Sequence, residues 1–233
     1  MSRFFSACRW NLCIQSRHKL LHAAAFIVIV WIVLLRRLPP EPAAKIIPVV
    51  IFAELSIIGF FFLAAQVLFE RSQAVLQALI VSRLTDAQYI GSRCASLALV
   101  ALAGSAAVGA FSPGTVRNFP LLIAGSVLTA LLYELIAIII VVRYRSINDF
   151  IAIALLWFLP LNLPLLAYFG LYETGWSWLF PTHASLVLLR GAYEPLSGAT
   201  LALATAYLLL AIVAAYLWAL RAYRRHVVSH GGL

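Results

Sequence analysis

Two acidic side chains, Glu54 and Glu134, occur inside long apolar runs of the sequence. A charged carboxylate in hydrocarbon costs several kcal/mol, so each must be protonated, hydrogen-bonded to another helix or exposed to a wet cavity. Both residues could mark a translocation path or a dimer seam, or they could make only structural hydrogen bonds between helices. At ~1.5 Å per residue, Glu54 lies roughly 13 Å and Glu134 roughly 22 Å from the outer end of its apolar run, so they need not share a level.

The sequence contains none of the other common patterns for catalysis or metal binding. There is no GxxxxGK[ST] phosphate loop, no GxSxG nucleophile elbow and no HExxH metal motif. Cys8, Cys13 and Cys94 form neither a CxxC pair nor an even set for disulfides. We therefore expect no catalytic residues, no metal site and no cofactor held by this chain.

The composition is that of an integral membrane protein. Hydrophobic residues make up 64% of the 233 residues and charged residues only 11%, which lies far outside the range of soluble domains. The net charge of +9 comes from basic residues scattered at the ends of apolar runs, where they would face lipid headgroups. Membrane lipid is thus an expected partner and nucleic acid is not. The length predicts one transmembrane domain over residues 1–233.

Six apolar runs are long enough to cross a bilayer, which predicts an all-α membrane protein with six transmembrane helices. An even number of spans puts both termini on one side, and most of the 17 Lys and Arg residues then fall on that side, which predicts cytoplasmic termini. Residues 1–19 are predicted to form an interfacial helix, 20–220 the bundle and 221–233 a cytoplasmic tail. The runs lie near residues 20–38, 46–69, 90–111, 119–142, 150–171 and 199–220.

Prolines mark two irregular places on the outer half of the bundle. Pro160 and Pro164 should kink the fifth span, either to line a cavity or for packing alone. Between the fifth and sixth spans, an apolar stretch that begins at Pro181, includes His183 and ends at Arg190 is too short to cross. We expect it to form a short re-entrant or surface helix that caps the bundle.

A polar stretch at residues 69–93, FERSQAVLQALIVSRLTDAQYIGSR, connects the second span to the third. Its apolar residues Val75, Leu76 and Leu79 recur at helical spacing, which predicts an amphipathic helix over about 70–82. Since it follows an out-to-in span, this helix lies on the cytoplasmic side. From the pattern alone it could simply rest on lipid.

The ordered set of motifs resembles the permeases of ABC-2 type transporters. In that family an acidic and a basic residue after the second span precede a helix, a short break, and a Tyr and a basic residue that open the third span. Arg83 stands where the family usually has a proline. The stretch YFGLYETGWSWLFPTHASLVLLRGAY is most similar to small permeases of fluoroquinolone export. The matching residues are Glu70, Arg71, Leu79, Ile80, Val81, Ser82, Tyr89 and Arg93.

The resemblance implies a permease subunit that exports a drug, lipid or other amphipathic molecule across the inner membrane of a prokaryote. The helix at 70–82 would be the coupling helix, which docks on a separate ATP-binding subunit that carries the ATP and Mg²⁺. A second permease chain, identical or paralogous, would complete the unit. The residues expected to face the ATP-binding subunit are Glu70, Arg71, Gln73, Gln77, Ser82, Arg83 and Asp86.

Three other classes remain open from the sequence. A secondary carrier or channel would work without ATP, but residues 1–115 and 116–233 show no convincing internal repeat. A structural membrane subunit would tolerate loss of both buried acids. An intramembrane enzyme would need a clustered nucleophile, base or metal set, which the sequence does not show.

Overall fold

The computed structural model describes residues 2–72, 85–144, 146–171 and 174–228. Within these residues every regular element is a helix, and no strand occurs. This confirms the predicted all-α class.

The amino-terminal region forms two helices joined by a sharp bend. Helix α1 covers Ser2–Arg17 and α2 covers Leu20–Leu35. Lys19 joins them with a positive φ of 60°, and the axes differ by 70°. Helix α2 has only 16 residues, so it spans roughly 24 Å, and its end agrees with the predicted stop at RRLPPEP.

The second span is one long helix with a local irregularity. It consists of α3 (Pro40–Ile57), a π-helical turn (Ile58–Phe62) and α4 (Leu63–Ser72). The sequence predicted a start near residue 46, but the helix begins at Pro40. Proline is tolerated at the first helical position because the amide at that position makes no hydrogen bond within the helix. The π turn places Gly59 against Tyr133 and Ala130 of the neighbouring helix, where a Cβ would be tightly packed.

The remaining long helices follow the predicted order. Helix α5 covers Asp86–Phe111 and begins with a capping box between Thr85 and Gln88. The bounds of the others are α6 Phe119–Val141, α7 Ile147–Asn162, α8 Pro164–Tyr168, a 3₁₀ turn Thr174–Leu179, α9 Pro181–Gly191, α10 Gly198–Tyr223 and a final π turn Arg224–Val228.

In the described chain, five helical stretches are long and apolar enough to cross a membrane, and six if the bent α1–α2 pair counts as one span. The protein is therefore a multi-pass membrane protein. The second span and α6 are buried over much of their length, whereas α7 and α10 are largely exposed. The core thus lies around α3, α4, α5 and α6, and α7 and α10 form the periphery.

Contacts between helix ends define the two ends of the bundle. At the end that we term the Glu70 end, residues 66–72, 85–93, 142–144 and 221–226 come together. At the opposite end, Arg36 donates to the Phe111 carbonyl at 2.9 Å and Tyr168 donates to the Lys45 carbonyl at 2.7 Å.

Candidate functional site: a buried ion pair at the Glu70 end

A buried ion pair joins the two helices that flank residues 73–84. Glu70 lies in the last turn of α4 and Arg93 lies two turns into α5, and their side chains form a salt bridge. The two side chains are only 7% and 3% exposed, respectively. The pair therefore fixes the spacing between the end of the second span and the start of the third.

Two further side chains complete the cluster around this pair. The Tyr89 hydroxyl donates to Glu70 Oε2 at 3.0 Å, and Arg93 Nη1 donates to Gln66 Oε1 at 3.3 Å. The Arg93 guanidinium also lies over the Tyr89 ring, 4.9 Å from its centroid, which adds a cation–π contact. Each charge thus has both its counter-ion and a neutral polar partner.

A buried ion pair contributes more to selecting one arrangement of helices than to the net stability of the fold. Removing two charges from water costs about as much as their attraction returns, so a buried pair is often no more stable than apolar residues of equal volume. Loss of one partner is strongly unfavourable, because the other charge is then left buried and unpaired. The Glu70–Arg93 pair therefore discriminates against arrangements that separate α4 from α5.

Arg71 and Asp86 lie close to this cluster but contact other helices. Arg71 Nη1 donates to the Tyr144 carbonyl and Nη2 to the Val142 carbonyl, each at 2.6 Å, at the carboxyl end of α6. Arg224 Nε donates to Asp86 Oδ2 at 2.8 Å, which links the start of α5 to the end of α10. The residues that flank the 73–84 segment are thus tied to α6 and α10 as well as to each other.

Four of the residues expected to face an ATP-binding subunit, Gln73, Gln77, Ser82 and Arg83, lie outside the described residues. The same holds for most of the predicted helix at 70–82 and for residues 229–233 of the predicted tail. Their predicted roles stay predictions.

Gln66 is the member of the cluster that the sequence analysis missed. It precedes Glu70 by four residues on the same helix, so both side chains lie on one face. A buried glutamine one turn before an acidic residue within an apolar span is the signal that could have identified it. Arg93 and Tyr89 were noted only as parts of the matched pattern.

The amino-terminal helix α1 is held to α5 by polar contacts. Asn11 Nδ2 donates to Ser92 Oγ at 3.3 Å, and Gln15 Nε2 donates to Ser96 Oγ at 3.0 Å. Asn11 and Gln15 are buried, while Phe5 is 64% exposed. The polar side chains of α1 therefore face the protein, and its large apolar side chains include ones that face outward.

The two buried acids occupy different places in the core. Glu54 packs against Gly104 of α5, where an added Cβ would overlap its carboxylate. Glu134 is fully buried and lies beside Gly59 of the π turn. A Cβ added at Gly59 would be 3.6 Å from the Glu134 Cγ. Within the described parts of the chain, neither carboxylate has a hydrogen bond of good geometry. The two acids thus have separate neighbours, and their role in a translocation path or dimer seam stays a prediction.

The fifth span breaks where its prolines predict. Helix α7 contains Pro160 and ends at Asn162, and α8 restarts at Pro164. The Tyr133 hydroxyl of α6 donates to the Leu161 carbonyl at 3.2 Å, which supplies a partner for one backbone group at the break.

The short helix α9 begins at Pro181 and buries most of one side against the bundle. His183 is buried beside Trp178, with ring centroids 4.9 Å apart, and burial lowers its pKa. Arg190 near the end of α9 is half-exposed and pairs with Glu194 at 2.6 Å. The bounds of α9 match the predicted segment, and its re-entrant role stays a prediction.

Comparison with known proteins agrees with this architecture. The sequence profile described as the Fluoroquinolones export permease protein family matches residues 2–231. The chain is 30% identical over 198 residues to a protein of Mycobacterium tuberculosis strain CDC 1551 / Oshkosh named fluoroquinolones export permease protein, a match that covers 84% of each chain. A protein with the same descriptive name from strain ATCC 25618 / H37Rv matches with the same identity and coverage.

Proposed function

The chain belongs to the fluoroquinolones export permease protein family, and we propose that it is the membrane-spanning subunit of an ATP-driven drug exporter. In this proposal a separate ATP-binding subunit docks at residues 70–86 and supplies the energy of ATP hydrolysis. The ATP and Mg²⁺ belong to that partner. A second permease chain, identical or paralogous, completes the transporter.

The observation that carries the proposal is the buried Glu70–Arg93 pair at the base of the 73–84 segment. A docked partner must move the bundle through this connection, and a soft connection would absorb the movement. The ion pair joins α4 to α5, while Arg71 and Asp86 connect the same region to α6 and α10. A push on the segment would thus reach four spanning helices together, and packed helices respond by switching between discrete arrangements.

The orientation follows from the position of the segment. An ATP-binding subunit works in the cytoplasm, so the Glu70 end faces the cytoplasm in the inner membrane of a prokaryote. Arg143, Arg221, Arg224 and Arg225 lie at this end, as the positive-inside rule requires. Both termini are then cytoplasmic.

The translocation path is assigned to the middle and outer parts of the bundle. Glu54 and Glu134 are its polar points, and the break between Pro160 and Pro164 is where the fifth span could bend. The buried α9 with Pro181, His183 and Arg190 would close the path on the outer side. The names of the relatives indicate a fluoroquinolone as the cargo to test.

Reconstitution tests this proposal directly. The chain and its co-purified ATP-binding subunit are placed in inside-out proteoliposomes, and uptake of the fluorescent fluoroquinolone ciprofloxacin is followed. We expect accumulation that requires ATP and Mg²⁺. Uptake driven by a proton gradient without the ATP-binding subunit would contradict the proposal and favour a secondary carrier.

The docking position is tested by two charge changes within the segment, Gln77→Lys and Arg83→Glu, made together. We expect loss of both partner co-purification and ATP-dependent uptake, with the permease still folded by size-exclusion chromatography. Arg117→Glu is the matched control, because Arg117 is exposed at the opposite end of the bundle. Retention of the partner by the double variant would remove the segment from the docking surface.

A further inference from the structure

An apolar cavity runs between α6, α7 and α10 on the periphery of the bundle. It has a volume of about 340 Å³, within the range of small-molecule sites. Along α6 its wall extends from Leu132 to Arg143, a distance of roughly 16 Å at 1.5 Å per residue. Its walls are mostly aliphatic, with Trp157 of α7 and Trp218 of α10 on the other two sides.

A second cavity of about 500 Å³ lies at the Glu70 end and adjoins the first. Arg143, Ala214 and Trp218 line both. The wall of this second cavity also contains Arg221, Arg225 and His226, and none of the described residues that line it is acidic. The two cavities together therefore have an apolar interior and a cationic mouth.

Two arginines, Arg143 and Arg221, flank the mouth, and no carboxylate among the described residues forms an ion pair with either. Across the described residues, ion pairs occupy Arg93, Arg190 and Arg224, and neither Arg143 nor Arg221 is in one. Both are exposed. A guanidinium offers a planar fork of donors that matches a carboxylate or phosphate, so an anion at this mouth would meet two such forks.

From this combination we propose that the two adjoining cavities, here together termed the α6–α10 cavity, bind one amphipathic anion. The apolar or aromatic body lies between α6 and α10 against Trp157 and Trp218, and the acidic group lies between Arg143 and Arg221. Basic residues that only contact lipid headgroups do not require a cavity beside them. This cavity instead extends about three helical turns into the bundle.

Two sources offer this chemistry: a diffusible aromatic or apolar acid, and an anionic phospholipid of the same leaflet. Both present a carboxylate or phosphate attached to a hydrophobic body. Transport of the bound anion as cargo rests on the proposed function. Binding of the anion in the cavity does not rest on it.

The test uses the full chain in phosphatidylcholine nanodiscs without ATP or a partner subunit. Energy transfer from tryptophan to pyrene reports binding of pyrenebutyrate, and pyrenebutyltrimethylammonium is the cationic probe with the same ring system. We expect saturable binding of the anion and only lipid partitioning of the cation. Arg143→Gln with Arg221→Gln should weaken anion binding at least about tenfold, as expected for loss of charge-assisted hydrogen bonds.

Two matched controls separate the site from general effects. Arg37→Gln removes a charge from an exposed residue at the opposite end and should leave anion binding unchanged. Ala214→Phe places a large ring where both cavities are lined by the same residue and should weaken binding, while Ala202→Phe on an exposed face of α10 should not. Equal binding of both probes, or anion binding unaffected by the arginine and Ala214 variants, would overturn the proposal.

Nanodiscs that contain phosphatidylglycerol distinguish the two sources. A phospholipid occupies the cavity if two results are obtained. Phosphatidylglycerol displaces pyrenebutyrate, and lipid mass spectrometry detects phosphatidylglycerol with the purified wild-type protein but not with the Arg143→Gln/Arg221→Gln protein. If pyrenebutyrate still binds in the presence of phosphatidylglycerol, the cavity is assigned to a diffusible acid. Either result supports the anion site, and the ATP-dependent uptake assay tests the transport proposal separately.

Discussion

Arg71 closes the carboxyl end of α6 by donating both terminal nitrogens to backbone carbonyls, one to Tyr144 and one to Val142, at 2.6 Å each. The last carbonyls of a helix have no partner within the helix. Glu70, the adjacent residue in sequence, instead faces α5. One acidic and one basic residue in succession thus join the second span to two different helices.

This relationship predicts that Arg71 is sensitive even to a conservative change. Lysine keeps the charge but has no planar fork, so Arg71→Lys should lose one of the two bonds. We expect a loss of about 1–3 kcal/mol in stability, measured by thermal unfolding in detergent. Arg37→Lys, at an exposed position, is the control. An unfolding temperature equal to that of the wild type would show that the bidentate geometry contributes nothing.

The Glu70–Arg93 pair predicts a non-additive double-mutant cycle. Glu70→Gln alone should cost about 3–5 kcal/mol, because Arg93 is left charged and buried. Glu70→Gln combined with Arg93→Met removes both charges and should cost less than the two single changes together. Denaturant unfolding of the single and double variants measures the coupling.

If the costs of the two sites simply add, the buried pair carries no interaction energy. Glu41→Gln is the matched control for the acid, since Glu41 is exposed in the first turn of α3. It should change stability by less than about 0.5 kcal/mol.

Glu54 and Gly104 predict a steric coupling between α3 and α5. A Cβ at position 104 would overlap the Glu54 carboxylate, so Gly104→Ala should destabilise the protein by about 1–3 kcal/mol. Shortening the acid in Glu54→Ala/Gly104→Ala should recover part of this loss. Thermal unfolding of the single and double variants provides the measurement.

The control for that experiment is Gly198→Ala, because a Cβ at Gly198 meets nothing within 4 Å. It should leave the unfolding temperature nearly unchanged. Equal effects of the Gly104 and Gly198 changes would exclude the steric explanation.

His183 predicts a loss of stability in mild acid. Burial lowers its pKa below the ordinary value of 6.5, so the folded protein favours the neutral ring. Stability from this group is present above about pH 6.5 and falls as the pH drops below it, because the unfolded chain then binds a proton that the folded chain resists. Thermal unfolding between pH 5 and 7.5 should show a smaller pH dependence for His183→Gln than for the wild type.

His22→Gln serves as the comparison and should keep the wild-type pH dependence. If His183→Gln also keeps it, another group determines the acid sensitivity.

The elements that the sequence predicted best are those set by local chemistry. The stop after Leu35 and the break between Pro160 and Pro164 follow from proline geometry. The start of α9 at Pro181 follows in the same way. Local rules were sufficient because proline acts on its own backbone and that of its immediate neighbours.

The features that the sequence did not predict depend on tertiary packing. An apolar stripe predicts the buried face of a helix in water, but in lipid the apolar side can face outward and polar side chains can hold helices together. Asn11 and Gln15 are buried for that reason. Likewise, Gln66 joins the ion-pair cluster, and the cavity beside Arg143 exists, only because helices distant in sequence meet there.

The contacts of α1 also constrain how the chain is made. Its partners on α5, Ser92 and Ser96, follow Asn11 and Gln15 by 81 positions. Helix α1 therefore cannot reach its final place until the third apolar run has been synthesised and inserted. During biogenesis its docking on α5 is a late step of assembly, although α1 precedes α5 in the chain.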